Sequence, residues 1–208
     1  MFNKFTTAGI SHPAQGSAEF DGASDYIQLN DPFSHTNHTI ACWAYLDNSS
    51  TTRIIFDNRE GSGDGIVLYF DSTDRPSYLV NGAFRTSTAY QNVWVYIVGT
   101  YDGTTQKLYI DGSQISSQAT SQTISTANNA IIGRRRDVVN DYFKGNLANV
   151  AIWNRALSSD EINSVMWKSY DGLTPSETSG LQAWYSLDDI IGSSVPDSSG
   201  NGNDGIAN

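Results

Sequence analysis

Apolar and polar positions alternate in short runs along most of the chain, and each run is closed by Gly, Asn, Asp, Ser or Pro. Period-two alternation marks strands with one face in water. The pattern predicts strands near residues 17–21, 26–30, 38–46, 53–57, 65–71, 76–81, 84–88, 93–101, 106–111, 129–133, 143–153 and 181–187. The strongest hairpin is VWVYIVGTYDGTTQKLYIDG (93–112), turning at Asp102-Gly103. In its first arm Val93, Val95, Ile97 and Gly99 point one way, and Trp94, Tyr96, Val98 and Thr100 the other. Apolar residues on both faces predict a central strand covered on both sides.

One segment switches to helical spacing. Ser158 and Glu161 form an S-x-x-E capping box, and Ile162, Val165, Met166 and Tyr170 follow on one face. Gly172 and Pro175 end it. LTPSETSG (173–180) then reads as a linker, with one further strand and an Asp-, Ser-, Asn- and Gly-rich loop beyond it. One strand cannot make a domain. It packs on the preceding sheets, pairs with another chain, or opens a second repeat.

Composition narrows the classes. At 208 residues the chain suits one all-β domain. Its formal net charge of −10 argues against binding nucleic-acid phosphates. The single cysteine, Cys42, excludes an intrachain disulfide and reads as a core thiol in a strand. No run is long and apolar enough for a membrane helix, so no membrane insertion is expected. MFNKFTTAGISHP lacks a signal-peptide core, so synthesis in a cytoplasm without that signal is expected. The sequons at Asn37 and Asn48 therefore carry no weight. His12, His35 and His38 show no metal-binding spacing and are expected at the surface. Trp43, Trp94, Trp153 and Trp184 are expected in the core, with Trp167 partly exposed.

Four pieces, in order, resemble the laminin-G-like, concanavalin A-like jelly-roll family. FDGASDYIQL (20–29) is similar to its opening strand pair and TIACWAYL (39–46) to its tryptophan-bearing strand. WVYIVGTYDGTTQKLYIDG (94–112) resembles its central hairpin, and FKGNLANVAIWNRALSSDEI (143–162) its last strand and trailing helix. The implied fold is an all-β sandwich with one short helix, a single domain over 1–208. GLQAWYSLDDIIGSSVPDSSGNGNDGI (180–206) is similar to the piece that normally begins such a domain. Circular permutation, with this strand completing the chain's own sandwich, is the arrangement most expected; donation to a neighbouring subunit and a truncated tandem repeat are the others.

The same resemblance implies a structural Ca²⁺ held by Asp197, Asn201 and Asn203, with Gly22 offering its carbonyl. The family's acid near that metal is missing, because the last strand reads Leu147-Ala148-Asn149-Val150. An Asx-rich turn without metal is the alternative. Arg134, Arg135 and Arg136 stand out on an acidic chain and, with Tyr142, are the candidate contacts for an acidic partner subunit or an anionic glycan. No E-x-D-x-x-E carboxylate set, G-x-S-x-G elbow or P-loop occurs, so no catalysis is expected. Two non-enzymatic roles follow. One is a virion-associated module, a capsid decoration or tail-associated protein among other subunits. The other is a carbohydrate-binding module acting on surface or extracellular glycans.

Overall fold

The computed structural model describes residues 16–47, 49–60, 65–80, 88–121, 124, 128–137 and 139–208, and residues 83–85 by backbone alone. His12 and Asn48 lie outside these residues. Among the described residues two antiparallel sheets face one another. In the first, β1 (Ala18–Asp21), β12 (Lys144–Trp153), β3 (His38–Leu46), β8 (Trp94–Tyr101), β9 (Thr105–Ile110) and β10 (Ser113–Ala119) lie side by side, and β13 (Leu181–Tyr185) also pairs with β12. In the second the order is β14 (Ser194–Val195), β15 (Gly205–Ala207), β2 (Ile27–Gln28), β11 (Ile131–Ile132), β4 (Arg53–Asp57), β5 (Val67–Phe70), β6 (Pro76–Leu79) and β7 (Ala83–Arg85).

Alternation decides which side chains meet between the sheets. Ile40, Cys42, Ala44 and Leu46 of β3 enter the inter-sheet core with Val95 and Ile97 of β8, Phe56 of β4 and Leu68 of β5. The opposite faces of β3 and β8 carry Ala41, Trp43, Trp94, Tyr96 and Val98 into a second apolar layer under α1 (Ser159–Val165). The central strands are therefore covered on both faces, although Val93, at the entry to β8, is 45% exposed. Gly99 is needed where the Tyr78 ring crosses β8, because a Cβ there would meet that ring.

The C-terminal segment completes the first sheet in cis. Tyr185–Leu181 pairs with Val150–Trp153, and Ala18–Asp21 pairs with Leu147–Lys144, so β13 and β1 lie end to end along one edge of β12. Farther on, Val195 enters the inter-sheet core and β15 pairs with β2. Asn208 closes the ladder by exchanging backbone hydrogen bonds with Tyr26.

The helical region is shorter and more broken than its periodicity predicts. The capping box at Ser158 and Glu161 forms, but α1 ends at Val165, and Tyr170 starts a 3-10 turn, Tyr170–Gly172. The expected linker 173–180 instead holds a helical turn, α2 (Pro175–Thr178), begun by a second capping box in which Thr174 and Glu177 satisfy each other's backbone N–H groups. Trp153 Nε1 donates to the Glu177 carbonyl (2.7 Å), and Lys168 Nζ reaches both Glu177 oxygens (2.7 and 2.8 Å). Burial alone would raise the Glu177 pKa; the Lys168 ammonium, the Ser164 hydroxyl and the Thr174 donors outweigh it and hold it near 2, below the ordinary 4.5. A depressed carboxyl pKa contributes stability above pH 4.5 that is lost as pH falls toward 2. Melting temperature followed over that window should fall, and Glu177→Gln should shrink the fall; an unchanged acid limb would contradict this.

Candidate functional site

The outward face of the second sheet carries a groove. One rung of its ladder runs Ser194, Ile206, Gln28, Ile131, Asp57, Val67 and Leu79 across adjacent strands. Ile27, Ile132, Phe56 and Leu68, their neighbours in sequence, turn inward to the core, which leaves the rung outside. Two concavities lie on it. One, of 440 Å³, is lined by Gln28, Asn128, Asn129, Ile131, Arg134 and Arg136. The other, of 160 Å³, is lined by Thr52, Ile54, Arg59, Val67, Tyr69, Leu79, Arg135 and Asp141.

The segment after β11 makes the walls. It leaves the sheet at Gly133, whose φ of 94° suits glycine and where a Cβ would strike the Phe20 ring. Gly133 N–H donates to the Ile55 carbonyl (3.0 Å), and Phe143 N–H to the Gly133 carbonyl (2.7 Å), which pinches the base of the excursion. Within it the three arginines diverge. The Arg134 guanidinium carbon lies 4.2 Å from the centre of the Tyr26 ring. Arg135 pairs with Asp137 (2.6 Å), whose carboxyl is held below its ordinary range mainly by that contact. Arg136 donates from Nε to the Asn129 carbonyl (3.1 Å) and from Nη1 to the Arg59 carbonyl (2.8 Å). Asp141, between these groups, is pushed up by burial against the pull of Arg135, Arg59 and Arg53.

Asp57 anchors the arrangement from below. It is fully buried, its two oxygens are gripped by the Arg59 guanidinium, with Nη2 at 2.6 Å, and Oδ2 also accepts from Arg136 N–H (3.3 Å). Polar capacity remains at the pocket. Gln28 Nε2 is spent on the Leu29 and Ala130 carbonyls, and Asn128 Nδ2 on Glu60 (2.6 Å); among the described residues nothing donates to the amide oxygens of Gln28 and Asn128, which can accept from a ligand.

The structure thus brings Arg134 and Arg136 into one pocket and puts Arg135 in its neighbour. Tyr142 lines neither pocket; its carbonyl accepts from Arg53 Nη1 (2.6 Å). Gln28, Asn128, Asn129 and Ile131 were not foreseen, because isolated amides and one isoleucine make no motif.

Of the four residues expected around calcium, Asp197, Asn201 and Asn203 lie together against Leu181–Trp184, and Gly22 lies apart from them. Asp197 Oδ1 accepts from the backbone N–H of Trp184 and Ser199 (both 2.9 Å), and Oδ2 from the Ser199 hydroxyl (2.8 Å) and Asn203 N–H (3.1 Å). The Asn201 amide donates to the Leu181 and Gln182 carbonyls, and the Asn203 amide to Gln182 (2.8 Å). Gly22 follows Asp21, which pairs with Lys144, whereas this loop packs on Leu181–Trp184, which pairs with Trp153–Ala151. Those positions on β12 are roughly 25 Å apart at the ordinary rise of a strand. The Gly22 carbonyl instead accepts from Arg53 (3.3 Å). Among the described residues no group of three or more His, Cys, Asp or Glu side chains is placed to hold a cation. The donor set as arranged does not fit Ca²⁺, which takes six to eight oxygens. Chelation with EDTA should therefore leave the melting temperature unchanged; a fall that Asp197→Ala abolishes would restore the calcium site.

His38 departs from expectation. It is buried, with Nδ1 on the His35 carbonyl and Nε2 on the Tyr78 hydroxyl, and burial holds it near pKa 4, neutral and structural. Cys42 is buried and its thiol pKa is pushed up by that burial. Trp43, Trp94, Trp153 and Trp184 are buried, and Trp167 is 55% exposed, its ring 5.4 Å from that of Trp43.

A laminin-G-type family model described as the concanavalin A-like lectin/glucanases superfamily matches residues 21–163, well over half of the chain. The chain belongs to the concanavalin A-like lectin/glucanase superfamily. Solved structures of this jelly-roll fold extend the likeness beyond the matched span. A provisionally named carbohydrate binding protein from Bacteroides ovatus superposes with a TM-score of 0.72 at 18% identity, over 92% of this chain. The chain spans only 57% of that protein. Domain 4 of AbnA, a GH43 extracellular arabinanase from Geobacillus stearothermophilus, solved with arabinotriose, gives 0.63 at 18% identity, covering 80% of this chain and 81% of that one. The CBM40 of a Ruminococcus gnavus IT-sialidase, solved with α2,3-sialyllactose, gives 0.58 at 14% identity, covering 72% and 97%. At these identities the likeness shows the fold alone. No curated protein sequence matches the chain.

Proposed function

We propose that this chain is a non-catalytic glycan-binding module that works at an extracellular or particle surface. The observation that supports it is the groove on the outward face of the second sheet, with an apolar floor at Ile131 and arginine and amide groups around it. A concave site with a few convergent polar groups is the ordinary form of a small-ligand site. Hydroxyls of a sugar need both donors and acceptors, and the pocket supplies guanidinium donors together with the Gln28 and Asn128 amide oxygens. Similar folds solved with arabinotriose and sialyllactose lend support. Of the two roles expected from the sequence, virion association and carbohydrate recognition, only the second has an observation behind it.

One support for the non-catalytic part is Asp57, the buried acid beneath the groove. Asp57 Oδ1 accepts from Arg59 N–H and Nε, and Oδ2 from the Arg59 guanidinium and Arg136 N–H, so this carboxylate is unsuited to protonate or attack a glycosidic bond. No helix among the described residues is long and apolar enough to cross a membrane.

Titration calorimetry against plant, bacterial and animal oligosaccharides tests the reading. Binding to one class is expected, weakened about tenfold or more by Gln28→Ala, with no release of reducing sugar. Absence of binding across all three classes, or binding that Gln28→Ala leaves untouched, would overturn it.

A further inference from the structure

We infer that the sugar seated in the 440 Å³ pocket is an acidic one, its carboxylate held by the Nη2 groups of Arg134 and Arg136. This rests on the glycan-binding reading and specifies its ligand. The chain carries a formal charge of −10, yet two cations line this pocket without an ion pair among the described residues. Arginines bordering the neighbouring pocket are neutralised, Arg59 by Asp57 and Arg135 by Asp137. The carboxylates close to the larger pocket are committed elsewhere: Asp57 to Arg59 and backbone, and Glu60 to the Asn128 amide.

The hydrogen bonds that fix the two guanidinium groups go to backbone carbonyls. Arg134 donates from Nη1 to the Arg135 carbonyl (2.9 Å), and its Nε is buried without an acceptor. Arg136 uses Nε and Nη1 on the Asn129 and Arg59 carbonyls. A carbonyl holds a guanidinium in place but leaves its charge uncompensated. Both Nη2 groups remain without a protein acceptor among the described residues. The Tyr26 ring, 4.2 Å from the Arg134 guanidinium carbon, holds that group in addition. Two oriented cations with spare N–H donors, in a pocket whose other polar groups are neutral amides, suit a carboxylate better than a hydroxyl, because charge-assisted hydrogen bonds are about twice as strong as neutral ones. Ordering costs are already met before the ligand arrives, since both side chains are tied down.

Carboxylated sugars come from two sources, uronic-acid polymers and sialylated glycans, and the test separates them. Trigalacturonic acid and α2,3-sialyllactose are titrated into the full chain, each beside its carboxyl-reduced congener, with lactose as the neutral control. The expected result is that at least one acid binds about tenfold or more tighter than its reduced congener. That preference should weaken as salt rises, and Arg134→Gln should abolish it while the melting temperature is retained. If Arg134→Gln lowers the melting temperature, Arg136→Lys, which keeps the charge but loses the planar donors, should shrink the preference in its place. Equal binding of acid and reduced congener, or a preference that survives both substitutions, overturns the acidic assignment and leaves the glycan-binding reading standing. Binding of none of the five sugars overturns the acidic assignment, and the glycan-binding reading then falls only if the wider oligosaccharide panel fails as well.

Discussion

A chain cut after Ser179 should show no cooperative thermal transition. The lost segment contributes Leu181, Trp184, Tyr185, Leu187 and Val195, each buried to within 6% exposure. Burying one such side chain is worth about 1.5–3 kcal/mol, so the five together supply roughly 8–15 kcal/mol. That equals the whole net stability of an ordinary domain, about 5–15 kcal/mol. The cut also strips β12 of its partner over Val150–Trp153 and β2 of its partner β15, baring two strand edges. Circular dichroism during heating reads the outcome. A truncated chain that melts cooperatively at the temperature of the full chain would show that β13 to β15 are accessory.

Asp57→Ala should cost about 3–5 kcal/mol, the usual penalty for removing one partner of a buried ion pair. Arg59 is itself only 13% exposed, so its charge would be left with little water to replace the carboxylate. The same change frees Arg136 N–H from Oδ2 and loosens the wall of the groove, so glycan affinity should fall together with stability. Chemical denaturation measures the first effect and calorimetry at low temperature the second. A loss under about 1 kcal/mol would mean that water takes the place of the carboxylate and that the pair is worth no more than a surface one.

Most of the sandwich was legible because its strands bury one face or two. Period-two runs such as those at 38–46 and 143–153 coincide with β3 and β12 within a residue. Strand β10 escaped notice because SQISSQA is polar and exposed along its length, and β14 and β15 because they are two and three residues long. The helical turn α2 was hidden in a stretch that reads as linker, since T-P-S-E carries its signal in capping rather than in apolar spacing. The Asx-rich loop shows the limit of composition. Its oxygen donors are dense in the sequence, but only the fold reveals that the Asp197 carboxylate meets backbone N–H groups of β13 and its own turn, while the Asn201 and Asn203 amides turn to the β13 carbonyls. Gly22 was placed beside them by resemblance, and strand register puts it at the other end of β12. The arginine run was visible because three cations in a row are unusual on an acidic chain. The division of labour among them, one paired and two available, depends on Asp137, Asn129 and Arg59, which no spacing rule connects.

The most direct test is a titration followed by backbone amide NMR with the tightest-binding oligosaccharide. Shifts should concentrate at Gln28, Asn128, Asn129, Ile131, Arg134 and Arg136, on the outward face of the second sheet. Shifts centred instead on Trp167 and the α1 side of the first sheet, with the groove silent, would contradict the assignment of that groove as the binding site.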